Sequence, residues 1–441
     1  MQLIGEKTMN EPPLKVWRIS SLPLNWAERG QILNRKTALL LERSVKAIME
    51  EVRKQGDSAL LRFTNKFDKA VLETADLRVT AEEIDKAYEE VSEEQVSALE
   101  FMRNKLEIVE KRVLEQIKIE VEENDILVRS LPRPIQSVGC YVPGGEAAYP
   151  STLVMTVVPA KVAGVPRIVV CSPPTAKSTI NPMTLIAADV CKVNEVYKVG
   201  GAQAIAALAY GTEFIKPVRK IVGPGNKYVT MAKILVSRDV AIDMPAGPTE
   251  ILILADETAS PRLVALDMVS QAEHGAESVA GVITTSKELA EDVLIELRKI
   301  TASAKRSDIV MKALSNYGFI IICETVGEMI ELANTFASEH VELVTRKPTD
   351  VADKLVSAGL ILIGSYSPVS LSDYCSGTNH VLPTSGFSRT CSGLSVLDFV
   401  KRIGVVECSR EGLLKVENTV KILARAENLP NHYAAIEGRF T

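Results

Sequence analysis

Only four histidines occur in the chain, His274, His340, His380 and His432, and each stands beside another chemically capable side chain. In Ser270-Gln271-Ala-Glu-His274 a spacing of three places Gln271 and His274 on one face of a helix. Ser260 caps that helix, Pro261 opens it and Gly275 closes it, so both side chains can grip one ligand or metal ion. Glu339-His340 falls where a helix over 325–338 gives way to a strand. A carboxylate and an imidazole at one junction can act as two acid/base groups of different pKa, or simply pair as exposed ions. Ser372-Asp373-Tyr-Cys-Ser-Gly-Thr-Asn379-His380 lies in an irregular polar stretch after a strand, a usual place for ligands. Asp373 and His380 can coordinate a metal or polar substrate there, or close a web of Asx turns. Glu427-Asn-Leu-Pro-Asn-His432 joins the last two helices, where capping alone accounts for the residue types.

Taken together, His274, Asp373, His432 and the amide oxygen of Gln271 make an N2O2 set suited to zinc. Glu339 and His340 would stand beside it as acid/base groups. Glutamine is an unusual zinc ligand, and the set suits a metallohydrolase as well as a metal-containing dehydrogenase.

The elements that must carry these groups read as α/β. Residues from about 37 to 115 show helical spacing, with Leu39, Leu40, Val45, Ile48 and Val52 on one face and Gly56 as a stop. Short β-branched runs then alternate with helices. Strands are expected at Val138–Tyr141, Arg167–Cys171, Glu195–Val199, Lys220–Val222 and Val240–Asp243, about 20–30 residues apart as in βαβ units. A second series is expected at Glu250–Leu254, Val279–Thr284, Phe319–Ile322, Val341–Thr345 and Leu360–Ile363, with helices centred near 267, 293, 331 and 354. An irregular Ser/Gly/Pro-rich stretch runs from Gly364 to about 396. An amphipathic helix over 410–428 and a short one opened by Pro430 end the chain.

The reading is two Rossmann-like parallel-sheet domains with helical N- and C-terminal extensions. Its parts are an arm over 1–36, a discontinuous first domain of 37–140 with 250–394 that bears the zinc and catalytic residues, a second domain over 141–249, and a helical tail over 395–441. Ligands of open parallel sheets bind beyond the carboxyl ends of strands. In the first series those ends read Tyr141-Val-Pro-Gly-Gly145, Gly200-Gly-Ala-Gln203, Gly223-Pro-Gly-Asn226 and Pro245-Ala-Gly-Pro-Thr249-Glu250. Such loops suit a nucleotide or substrate crevice, but the G-x-G-x-x-G fingerprint is missing.

Composition narrows the classes further. With 441 residues, 46% hydrophobic and 24% charged, the chain has ample material for large cores. A net charge of −5 and 5% aromatics offer neither a basic field nor stacking platforms, so nucleic acid is not an expected partner. No stretch approaches the roughly 18 uncharged apolar residues of a membrane span. Seven cysteines without a C-x-x-C pair read as reduced thiols. A cytoplasmic enzyme is the expectation.

Several strings closely resemble histidinol dehydrogenases. They are Asp243-Met-Pro-Ala-Gly-Pro-Thr-Glu250, Ser270-Gln-Ala-Glu-His274, Ser338-Glu-His340, Ser376-Gly-Thr-Asn-His-Val-Leu-Pro-Thr384 and Ala426-Glu-Asn-Leu-Pro-Asn-His432, together with the three glycine-rich loops at 141, 200 and 223. The match runs in order from about residue 35 to the end. The resemblance implies zinc-dependent oxidation of L-histidinol to L-histidine through L-histidinaldehyde with two NAD⁺, the last step of histidine biosynthesis.

It further implies one zinc per subunit on Gln271, His274, Asp373 and His432, and His340 as the base for the alcohol proton. Glu339 would activate water for the aldehyde step. Thr249, His380 and Glu427 would contact the substrate along with the zinc ligands and His340, and Tyr141, Gln203 and Asn226 would contact NAD⁺. Similar enzymes are domain-swapped homodimers with shared sites, so Glu427 and His432 would serve the neighbouring subunit. One departure is Thr249, where many relatives carry Ser; the hydroxyl stays and a methyl is added. Glu427 suits a cationic substrate and would repel the sulfonate handled by related alcohol dehydrogenases on this scaffold.

Overall fold

The computed structural model describes residues 14–22, 26, 35–144 and 148–440. Most of the arm expected over 1–36, and Gly145 of the first glycine-rich loop, lie outside them. The described chain opens with β1 (Lys15–Arg18), α1 (Arg35–Asp68), α2 (Ala81–Glu90), α3 (Glu93–Gln116) and the hairpin β2 (Ile119–Glu123) and β3 (Ile126–Pro134). A first alternating series follows: β4 (Ser137–Tyr141), α4 (Pro150–Ala163), β5 (Arg167–Ser172), α5 (Pro182–Val190), β6 (Glu195–Lys198), α6 (Gly201–Tyr210), β7 (Lys220–Val222), α7 (Lys227–Val236) and β8 (Ala241–Ile242).

The second series is β9 (Glu250–Ala255), α8 (Pro261–Ala272), β10 (Val279–Thr284), α9 (Lys287–Ser303), α10 (Ser307–Tyr317), β11 (Phe319–Ile322), α11 (Val326–Phe336), β12 (His340–Val344), α12 (Pro348–Ala352), β13 (Leu360–Ile363) and α13 (Val369–Tyr374). After a loop come β14 (Val400–Cys408), α14 (Arg410–Ala426) and α15 (Pro430–Glu437).

The central strands are apolar runs buried along their whole length, as in β9 and β10, which is what parallel strands covered on both faces require. They form two parallel sheets. The five-stranded sheet has the order β6-β5-β4-β7-β8 and the six-stranded sheet β1-β11-β10-β9-β12-β13. Apart from the edge strand β1, both orders run third, second, first, fourth, fifth within their own series. Each sheet therefore has one point where the winding reverses, between β4 and β7 in one and between β9 and β12 in the other. The α/β expectation and all ten strand positions are met.

The pattern did not reveal a third, antiparallel sheet, β14-β3-β2. Every residue of β2 is exposed, so the alternation that a half-buried strand would display is missing. The helix expected near 354 is the short α12, ending at Ala352, and α10 was not anticipated. Gly56 interrupts α1 as expected: at φ 53°, ψ −131° it is non-helical and kinks the element into two helices, the second continuing to Asp68.

The grouping of 37–140 with 250–394 does not match the packing. Leu99, Met102 and Leu106 of α3 join Val138, Leu153 and Val170 in one core, and Val45, Val52 and Leu60 of α1 join Val169, Ile205 and Val229 in another. The N-terminal helices thus cover the five-stranded sheet. Sequence adjacency to the second series was no guide, because helices seek whichever apolar sheet face lies uncovered. Among the described residues no helix is long and apolar enough to cross a membrane.

The loop after α13 ties the halves together. Val381, Leu394 and Phe399 are buried in the core of the five-stranded sheet. Asn379 Nδ2 donates to Met155 O of α4 at 2.7 Å, while Ser385 N donates to Glu250 Oε1 of the other sheet at 2.8 Å.

Candidate active site

Two loops of the first series meet at its reversal point. Gly223, at φ 112°, follows β7 so closely that a Cβ there would lie 2.1 Å from Tyr141 O at the end of β4. Only glycine fits that approach. Tyr141 is buried and its hydroxyl accepts the Gly201 N–H at 3.1 Å. Gln203 is buried in the first turn of α6, and its Nε2 has no partner. Asn226 caps α7, its Oδ1 accepting Tyr228 N at 3.0 Å and Val229 N at 3.2 Å. A glycine cradle, an orphaned donor and two helix N-termini at the carboxyl edge suit a dinucleotide without the usual fingerprint.

Beneath the loops, Lys233 of α7 donates to Gly223 O at 2.8 Å and forms an enclosed ion pair with Asp243, whose Oδ2 accepts Gly223 N at 2.7 Å. Lys233→Met would strand the Asp243 charge. Unfolding free energy is expected to fall by about 3–5 kcal/mol. Denaturant midpoints check this, with partial recovery expected in Lys233→Met/Asp243→Asn.

Glu339 and His340 sit at the other sheet's amino edge. The turn after α11 closes at Ala337, in left-handed geometry, and delivers Glu339 and His340 to the start of β12 beside the start of β9. Both are buried, so the exposed ion pair is excluded. Glu339 Oε2 accepts the Thr249 hydroxyl at 2.6 Å and Glu250 N at 2.8 Å. His340 Nδ1 lies 3.2 Å from Glu250 O and 3.5 Å from Glu339 Oε2, while Nε2 is buried without a partner. A carbonyl only accepts, so Nδ1 carries the hydrogen and Nε2 the free lone pair.

Burial by itself would depress this imidazole. Together the Glu339 charge and hydrogen bond, the Asp373 charge and the Glu250 carbonyl outweigh it and hold His340 above its usual value. His380 moves the other way, lowered chiefly by burial. Burial also raises the Glu250 carboxyl to about 8, with Glu339 adding to the rise against the Ser385 N–H. Glu250 is therefore mostly neutral near pH 7.

Gln271, at the end of α8, is buried. Its Nε2 donates to Thr249 Oγ1, leaving Oε1 enclosed and unpartnered. His274 lies beyond the helix, which ends at Ala272, so the expected single helical face does not extend to it. A 3.3 Å turn bond from His274 N to Gln271 O keeps the two close. Its Nδ1 donates to Ser270 O at 3.2 Å, which leaves Nε2 as the free lone pair. Ser260 stands at the N-cap without a side-chain bond. Asp373 is on α13, which packs against α8. The orphaned amide oxygen, a free imidazole nitrogen and a nearby carboxylate fit zinc.

The fourth member is elsewhere. His432 is exposed on α15 and Glu427 caps α14, and α15 packs chiefly on α14. Among the described residues of one chain, no three His, Cys, Asp or Glu side chains converge as a metal site. His380 has both ring nitrogens engaged, Nδ1 with Asp373 O at 3.0 Å and Nε2 with Thr152 Oγ1 at 3.3 Å. A substrate contact there would have to replace the Thr152 bond. An open groove of about 630 Å³ beside α11, lined by Ile330, Asn334 and Arg389, holds none of these residues.

Sequence reasoning passed over Glu250, which ties Glu339 N and Ser385 N to one carboxyl. A charged residue heading the apolar run Glu-Ile-Leu-Ile-Leu was the available signal.

Comparison with known proteins identifies the family. A sequence model of the histidinol dehydrogenase family matches residues 34–440. Histidinol dehydrogenase of Methanocaldococcus jannaschii is 46% identical over 415 residues, 93% of this chain and 96% of that protein. The Methanococcus maripaludis enzyme is 44% identical, covering 94% and 98%. The crystal structure of histidinol dehydrogenase from Elizabethkingia anophelis superposes with a TM-score of 0.91 at 35% identity over 98% of each chain. With the motifs in order, the sheets superposable and the match running almost end to end, the chain belongs to the histidinol dehydrogenase family.

Proposed function

We propose that the site performs a four-electron oxidation, L-histidinol to L-histidine by way of bound L-histidinaldehyde, with two NAD⁺ and one zinc ion per subunit. As a family member the chain is an NAD-dependent oxidoreductase with histidinol dehydrogenase activity in histidine biosynthesis. The observation that supports the fuller reading is a pair of enclosed, unpartnered atoms, Gln271 Oε1 and His340 Nε2, on either side of the Thr249–Glu339 bond. One suits a metal, the other a proton.

Gln271, His274 and Asp373 would hold the zinc together with His432 of a second copy, and Tyr141, Gln203 and Asn226 would face the cofactor. Zinc would supply a fixed anchor for the substrate's imidazole and amine, and NAD⁺ the hydride acceptor. His340 takes the alcohol proton on Nε2, its ring held by the Glu250 carbonyl. Glu339 takes a proton from the water that adds to the aldehyde. Its recorded bonds all fall on Oε2, leaving Oε1 for that task. As the water adds, His340 returns its first proton to the aldehyde oxygen, and its Nε2 is then free to accept a hydrate proton as the second hydride leaves. Thr249, Glu427 of the second copy and His380 would border the substrate.

The dimer belongs to this proposal. Leu414, Ile422, Leu423 and Leu429 of the tail are exposed, an apolar surface consistent with a partner chain. The direct test is NADH formed per L-histidinol consumed, before and after chelation. Two NADH, lost on chelation and restored by Zn²⁺, is the expected result. One NADH, or turnover indifferent to metal, would overturn the reading.

A further inference from the structure

Glu342 is a carboxylate inside the apolar strand β12, two residues beyond His340 and so on the same face of the sheet. It is buried, and Oε1 accepts the Val369 N–H at 2.9 Å, the first amide of α13. Its other oxygen meets no N–H or O–H donor. Facing it is a second carboxyl, Asp267 of α8, one turn before Gln271, and the two carboxyl groups interact directly. Among the described residues no Lys, Arg or His pairs with either. Burial, and then the neighbouring Asp267 carboxylate, push Glu342 upward, which favours a shared proton between the two.

We propose that the Asp267–Glu342 carboxyl pair is the positioning device that sets the zinc ligands against the acid/base groups. It joins three elements at one point: α8 with Gln271 and His274, β12 with His340, and α13 with Asp373. Neither carboxyl touches the reacting atoms; both act through the elements they fasten. The inference rests on the zinc site proposed above. Substitution at Glu342 or Asp267 reaches the metal by letting α13 and α8 shift relative to β12.

Zinc affinity of the full-length protein, stripped and titrated with Zn²⁺ against a chromophoric chelator, reads this without recourse to turnover. Glu342→Gln can still accept from Val369 N and donate to Asp267, and Asp267→Asn can donate to Glu342, so both are expected to bind zinc within a few-fold of wild type. Glu342→Met and Asp267→Ala break the link and are expected to weaken zinc by about 10–100-fold. Asp267 is only half-buried, so Asp267→Ala serves if Glu342→Met does not fold. A folded Asp267→Ala or Glu342→Met protein with wild-type zinc affinity overturns the proposal. So do amide variants that lose as much as the apolar ones. Failure of the underlying zinc reading shows differently: the wild-type chain itself would take up no zinc.

Discussion

Replacing His340 by Asn is expected to lower kcat by roughly 10²–10⁴-fold while leaving zinc uptake and folding intact. Asn can present an N–H to the Glu250 carbonyl that now binds Nδ1, 3.2 Å away, so the packing is kept. What disappears is Nε2, the lone pair with no protein partner. Because that nitrogen serves both oxidations, neither NADH should form at the normal rate. Glu339→Gln should behave differently. The amide oxygen can still accept from Thr249 and Glu250 N, yet only the carboxylate can take a proton from water. NADH released per histidinol should then fall from two toward one, with aldehyde trapped by a carbonyl reagent. Unchanged stoichiometry in Glu339→Gln, or near-normal kcat in His340→Asn, would remove these assignments.

The second large effect concerns the tail. His432→Asn alone is expected to abolish zinc-dependent turnover, since one of four ligands is lost. Mixed and refolded with His340→Asn, it should regain activity. In a swapped dimer, a heterodimer has one doubly defective site and one intact site, so about a quarter of all sites should work after random pairing. If each chain completed its own site, every site in the mixture would be defective. Ending the chain before Glu427 should also abolish turnover, and circular dichroism should show the two sheets retained. No recovered activity in the mixture would exclude the shared site.

Much of the fold was legible because both series obey simple rules. Parallel strands buried on both faces read as continuous apolar runs, and prolines or Ser/Thr caps mark the helices between them. The exposed antiparallel sheet carries no such signature, and β2 reads as polar chain. The partners of α1 and α3 were equally hidden. Their apolar stripes show that each needs a sheet, and not which of two. At the site, residue types singled out Gln271, His274, Glu339, His340 and Asp373 because clustered histidines and carboxylates are chemically conspicuous. The supporting carboxyls Glu250, Asp267 and Glu342 were overlooked, although a charged residue within an apolar strand is itself a sign of a buried hydrogen-bond network. The carboxyl-edge rule pointed to the loops of the five-stranded sheet. In the six-stranded one, Thr249, Glu250, Glu339 and His340 gather at the amino edge, set there by the loop leading from β8 to β9.

The loop after α13 bears on traffic through the cleft. Separating the two sheets would break the Asn379–Met155, His380–Thr152 and Ser385–Glu250 bonds together and expose Val381 and Leu394 to water. Yet if two cofactor molecules serve one retained substrate, as proposed above, the first must be exchanged for the second in mid-cycle. A strapped cleft cannot do this by gaping, which would also spill the aldehyde. On that reading spent cofactor would leave sideways along the glycine-rich edge, like a cartridge ejected from a breech that never opens.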